Sequence, residues 1–241
     1  MLLLRSAVFN LMFYALLIGM LVVGIPLMFA PEQVVKRYAR MWGRLSLRLL
    51  ESICDVRIVY RGTEHVPPGG LIIAAKHQSF LDILALLPIA PNFTYVMKHE
   101  LSLIPLFGQL MRRAGMIAID RSRGRHIMGE LNIKVARAVA AGHQLIIFPE
   151  GTRRPVGAEP SYKSGTSHLY AATGATCVPV ALLSGLFWSR RSFLRRPGTL
   201  VVDILPPIAP GLEKAVFQTR LQRDIEAASD KLLAEAQAAR R

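Results

Sequence analysis

Cysteine is scarce in this chain. Only Cys54 and Cys177 are present among 241 residues, in no metal-ligand spacing. One pair builds no disulfide framework, which points to a reducing compartment. Aromatic residues make up only 7%, and no RNA- or DNA-binding motif is evident, so the excess of basic charge is not assigned to nucleic acid. Acidic residues are few, 16 against 30 Lys and Arg, for a formal net charge of +14. His65, His99, His126, His143 and His168 show no metal-ligand arrangement and read as structural or surface residues, so no metal is expected. There is no internal repeat and no long linker. From Ser6 to Pro31 the chain lacks charged residues altogether.

What is present is apolar and basic together: 52% hydrophobic residues and a mean hydropathy of +0.34. That combination points to an anionic membrane surface. The uncharged run from Leu11 to Ala30 is long enough to cross a bilayer. Pro31 follows Ala30, which argues against signal-peptide cleavage. Gly19, Gly24 and Pro26 permit either a span or a dip and return. The next stretch, Glu32 to Ile53, reads as an amphipathic helix. Lys36, Arg37, Arg40, Arg44 and Arg48 recur at three- and four-residue steps, with Val34, Val35, Met41, Leu45, Leu49 and Leu50 as apolar surface. Basic charge after the first segment, against Arg5 and the amino terminus before it, places the remainder in the cytoplasm. The chain thus divides into N-terminal membrane-associated helices, 1–55, and a second domain, 56–241.

That second domain alternates strand and helix patterns. Strands are expected at Val56 to Tyr60, Leu71 to Ala75, Phe93 to Met97, Met116 to Ile119, Leu145 to Phe148, Val178 to Leu182 and Leu200 to Ile204. Helices are expected at Asp82 to Leu87 (ended by Pro88), Leu106 to Arg113, Arg125 to Ala141, Ser164 to Ala172 and Val216 to Ala239. The fold class is α/β: a mixed, mostly parallel sheet covered by helices.

The chemistry concentrates at strand ends. Lys76-His77-Gln78-Ser79-Phe80-Leu81-Asp82 follows the Leu71 to Ala75 strand and opens a helix. Ser79 is a good N-cap, and Asp82 falls in the first helical turn. That turn brings the Asp82 carboxylate back to one ring nitrogen of His77, leaving the other free as a general base. Lys98, Arg121 and Arg153 also fall just past strand ends, where ligands of open α/β sheets bind. Such cations suit a phosphate-bearing substrate. The segment from Ser189 to Arg196 adds four arginines, as a solvated loop or as a contact for anionic headgroups, a carrier protein or CoA phosphates.

His77-x-x-x-x-Asp82, Ile119-Asp120-Arg121, Phe148-Pro149-Glu150-Gly151-Thr152-Arg153 and Val178-Pro179-Val180 resemble the four successive motifs of the glycerolipid acyltransferases. Bacterial 1-acylglycerol-3-phosphate acyltransferases are the group most similar. The resemblance covers roughly residues 56 to 210. Lys76 departs from it, since Asn before the His is common in relatives. The resemblance implies that His77 takes a proton from the lysophospholipid hydroxyl, with Asp82 orienting it. The hydroxyl then attacks acyl-CoA or acyl-carrier protein directly, with no covalent intermediate and no cofactor. It further implies that Arg121, Arg153 and Lys98 hold the acceptor phosphate. Glu150, Gly151 and Thr152 would shape the acceptor site, and Val178 and Pro179 would line the acyl or glycerol pocket. The same motifs would serve another lysolipid acceptor, such as a lyso-ornithine lipid. The alternative from a different class is a non-catalytic protein that binds anionic membrane.

Overall fold

The computed structural model describes residues 1–120 and 126–238. Among these residues seven strands form one sheet, in the order β1-β7-β6-β2-β5-β3-β4. They are β1 (Val56–Arg61), β2 (Leu71–Ala75), β3 (Phe93–Lys98), β4 (Ile117–Ile119), β5 (Gln144–Ile147), β6 (Cys177–Leu182) and β7 (Gly198–Ile204). β6, β2, β5, β3 and β4 run parallel, while β7 is antiparallel to β6 and parallel to β1. The expected mixed, mostly parallel α/β sheet is therefore present. Its five parallel strands deliver their carboxyl ends to one edge.

β2 is central and buried at every position, so it reads as a continuous apolar run rather than an alternating one. Leu71, Ile73 and Ala75 face one core, and Ile72 and Ala74 face the other. The first core is closed by α1 (Leu2–Val23), α2 (Glu32–Cys54) and α3 (Leu81–Leu86). The second is closed by α5 (His126–Ala140), α6 (Gly165–Thr173) and α7 (Lys214–Ala238). A short α4 (Phe107–Arg113) precedes β4.

Pro179 sits inside β6, a position that normally demands a backbone donor. Its carbonyl accepts from Leu205 N at 2.9 Å, and Cys177 exchanges both backbone bonds with Ile208. The chain after β7 thus approaches Pro179 with a donor.

Three expectations are corrected. The apolar run Leu11 to Ala30 is not one continuous span: α1 starts at Leu2 and stops at Val23, and Gly24 and Pro26 open a 3-10 turn, Ile25–Phe29, that folds the chain back into α2. Lys36 is not on the lipid-facing side of α2. It is fully buried, 2.6 Å from Glu32 Oε1, and donates to Asn92 Oδ1 at 2.6 Å. Pro88 does not end α3; that helix stops at Leu86, and Pro88 lies within a 3-10 turn, Leu87–Ile89. The expected starts and ends at Arg125 and Ala239 lie outside the described residues.

α1 has two faces. Ser6, Phe9, Asn10 and Phe13 are buried, and Phe9 and Phe13 pack edge-on against Trp188 at 5.5 and 5.6 Å. Leu4, Val8, Leu11, Ile18 and Val22 are exposed at helical spacing along the other face. At 22 residues and a mean hydropathy of 2.2, the helix is long and apolar enough to cross a membrane.

Candidate active site

The turn between β2 and α3 is organised by Asp82. Its Oδ2 accepts backbone N–H bonds from Gln78 at 2.7 Å and Ser79 at 2.9 Å, and sits 2.9 Å from His77 Nδ1. Ser79 caps differently from the expectation. Phe80 is the N-cap, and Ser79 Oγ accepts from Leu81 N at 2.8 Å, two residues along. Asp82 is fully buried. A proton on His77 Nδ1, donated to this carboxylate, leaves Nε2 with a free lone pair. The imidazole stacks on Phe148, with ring centroids 3.8 Å apart and an interplanar angle of 15°. Its side chain keeps 14% exposure. Half-buried Tyr95 donates its hydroxyl to the Ile83 carbonyl at 3.0 Å. Burial, with the nearby Asp82 charge adding to it, pushes the Tyr95 phenol well above its usual range.

The segment after β5 lies alongside this turn. Arg154 N donates to the His77 carbonyl at 2.9 Å, and Lys163 N to the Pro149 carbonyl at 2.8 Å. Gly151 makes the reversal: its N–H donates to the Phe148 carbonyl at 2.9 Å, and its φ of +66° is a conformation that other residues adopt at a cost. Gly151 and Thr152 are exposed, and Arg153 is half-buried. Arg153 lines a cleft of about 380 Å³ with Gln78, Gly185, Arg190 and Arg191. Arg190 Nη1 donates to the Arg153 carbonyl at 3.2 Å, and Gly185 N to Gln78 Oε1 at 3.1 Å.

The other expected site residues are more dispersed. Lys98 is exposed at the carboxyl end of β3, paired in register with Ile119 of β4. Arg121 lies outside the described residues. Val178 and Pro179 are buried mid-strand in β6, opposite Ile73 and Ala74; Val178 belongs to the core under α1 to α3. The structure thus brings His77, Asp82, Glu150 to Arg153 and the Arg190 loop together. It sets Val178 and Pro179 inside the sheet.

Comparison with known proteins fits this arrangement. The family model described as Acyltransferase matches residues 57–183, more than half of the chain. The chain belongs to the acyltransferase family. A 1-acyl-sn-glycerol-3-phosphate acyltransferase of Pseudomonas aeruginosa is 32% identical over 165 residues, covering 68% of this chain and 64% of that one. A relative of the same name from Cocos nucifera is 33% identical over 175 residues, 71% and 56% of the two chains. The matched part spans somewhat less than two thirds of these relatives' lengths. A crystal structure of the 1-acyl-sn-glycerophosphate (LPA) acyltransferase from Thermotoga maritima superposes with a TM-score of 0.78, covering 97% of this chain and 98% of that one at 22% identity. The acyltransferase fold therefore includes α1 and α2 as well as the sheet.

Two features of this chain were not read from its sequence. The Phe148 ring under His77 is one; its place beside the motif glutamate was visible, its stacking was not. The other is a charged cluster behind the catalytic turn. Lys76 is buried, with Nζ donating to Glu226 of α7 at 2.6 and 2.8 Å and lying 3.5 Å from Glu150 Oε1. Tyr162 donates its hydroxyl to Glu226 at 2.7 Å, and Arg154 Nε lies 3.7 Å from Glu150 Oε1. The ion partners of Glu150 are thus Lys76 and Arg154, not Arg153. Burial raises the Glu150 carboxyl above its usual range, with Glu226 adding to this and Lys76 opposing it. A lysine closing the apolar run Leu71 to Ala75 was a signal in itself, since buried ammonium groups require partners.

Proposed function

We propose that this protein is a membrane-bound 1-acylglycerol-3-phosphate acyltransferase that makes phosphatidate from an acyl thioester. The observation that carries the reading is the His77 to Asp82 pair at 2.9 Å, just past the carboxyl end of the central strand. The printed activities of the P. aeruginosa and C. nucifera relatives support the choice of substrate.

In this reading Nε2 of His77 takes the proton of the sn-2 hydroxyl as its oxygen attacks the thioester carbonyl. The C–O bond forms, and the tetrahedral intermediate collapses with loss of the C–S bond. The departing sulfur takes the proton back from the imidazolium. Asp82 holds the tautomer and stabilises the imidazolium. Arg153, with Lys98 and Arg121, holds the phosphate. The thioester is acyl-CoA or acyl-carrier protein. Residues 1–55 hold the enzyme on the inner membrane, and residues 56–241 work from its cytoplasmic side, where that thioester is found.

The experiment is an acceptor panel. Purified protein receives a long-chain acyl thioester with lysophosphatidate, lysophosphatidylcholine or a lyso-ornithine lipid, and acylated products are measured by mass. The expected result is product from lysophosphatidate at least tenfold above the others. Equal or greater use of an acceptor without a phosphomonoester would contradict the assigned acceptor and leave the His–Asp chemistry standing.

A further inference from the structure

The cluster behind His77 carries an assignment that the catalytic pair does not. Both Glu150 oxygens are buried without a hydrogen-bond partner. The groups facing Glu150 are Lys76 from the catalytic turn, Arg154 from its own loop, and Glu226 of α7 with Tyr162 bound to it. Of the two cations, Lys76 is the buried one, with 5% side-chain exposure against 30% for Arg154. A buried carboxylate deprived of a buried countercharge takes up a proton instead.

We propose that Lys76 is a positioning residue: its ammonium keeps Glu150 in the carboxylate form beside His77 and, through Glu226, ties α7 to the catalytic turn. The proposal rests on the reading of His77 as the general base. Glu150 belongs to the same loop that carries Phe148, which stacks on His77, and Arg154, whose N–H binds the His77 carbonyl. Neutral Glu150 would release Lys76 and Arg154 together, and the loop would lose its charged tie to the turn. Lys76 therefore acts on the reaction through the register of the Phe148–Arg154 loop, without touching substrate.

The test is the pH profile of kcat/KM for thiol release with lysophosphatidate, in wild type, Lys76→Met, Glu150→Gln and the Lys76→Met/Glu150→Gln double variant. In Lys76→Met the acid limb is expected to move up by about one pH unit, roughly a tenfold loss below neutrality that recovers in alkali. In the Glu150→Gln background the same Lys76 change should cost no more than about twofold and displace no limb, because position 150 no longer carries a carboxyl to protonate. A pH-independent loss in Lys76→Met, or a displaced limb that persists in the double variant, would overturn the proposal. Should Lys76→Met fail to fold, the double variant decides: recovery of the fold supports the charge pairing, and failure to recover it contradicts the pairing. His77→Ala in the same assay separates the two readings. Wild type no better than His77→Ala would remove the general-base reading, whereas an active wild type with an unshifted Lys76→Met would remove only the role of Lys76.

Discussion

Asp82 serves three donors with a single oxygen. An asparagine could still accept the two backbone bonds, so Asp82→Asn should keep the fold and its melting temperature within a few degrees. It should lower kcat by roughly 10³- to 10⁴-fold, because the imidazolium loses its charged partner; near-normal turnover would contradict the orienting role. Glu150 makes a pH prediction. Its folded-state carboxyl is raised by burial, so its stabilising contribution is present below the unfolded pKa and disappears as pH rises through the folded one. The melting temperature of Glu150→Gln relative to wild type should therefore climb between pH 4 and pH 8, and a constant difference would contradict that burial effect. His77 and Asp82 were legible in sequence because they stand five residues apart in one strand-to-helix turn. Lys76 and Glu226 are 150 residues apart, and no periodicity links a strand end to a distant helix.

The strands were legible to within one or two residues, since each is an apolar run closed by a turn. The first helix was misplaced because the uncharged window, not the helix, began late. α1 runs back past Arg5, and Gly24 with Pro26 sets its real end. The Arg190 loop was read as basic surface throughout, yet Arg195 is buried. Its guanidinium lies 3.9 Å from the Trp188 ring centroid and donates to Asn10 Oδ1 at 2.7 Å, and its backbone N–H donates to Ser6 Oγ at 2.9 Å. Burial lowers its pKa to about 10. The loop before β7 is thereby locked onto α1. Arg195→Ala should destabilise the protein by about 2–4 kcal/mol, read as a shift in the denaturant midpoint, through lost stacking and the orphaned Asn10 side chain. A shift below about 0.5 kcal/mol would place the lock elsewhere.

At the scale of the molecule, the sheet order gathers His77, the glutamate loop and the Arg190 loop at one edge, while α1 and α2 close the core behind them. Removing residues 1–30 would take Phe9 and Phe13 out of that core, so truncation confounds anchoring with folding. The cleaner variant changes the exposed stripe only: Leu4, Leu11, Ile18 and Val22 to Gln. It should move protein from the membrane to the soluble fraction with little change in melting temperature. Full retention on membranes would assign anchoring to other surfaces, such as α2 with its exposed Arg37, Met41, Arg44 and Arg48.

The central claim is that His77 activates a lysophosphatidate hydroxyl against an acyl thioester. Its most direct measurement is thiol release from a long-chain acyl thioester by wild type and His77→Ala, with and without lysophosphatidate. The expected result is release that requires both His77 and lysophosphatidate, one thiol for each phosphatidate formed. Equal release by His77→Ala, or release independent of any acceptor, would contradict it.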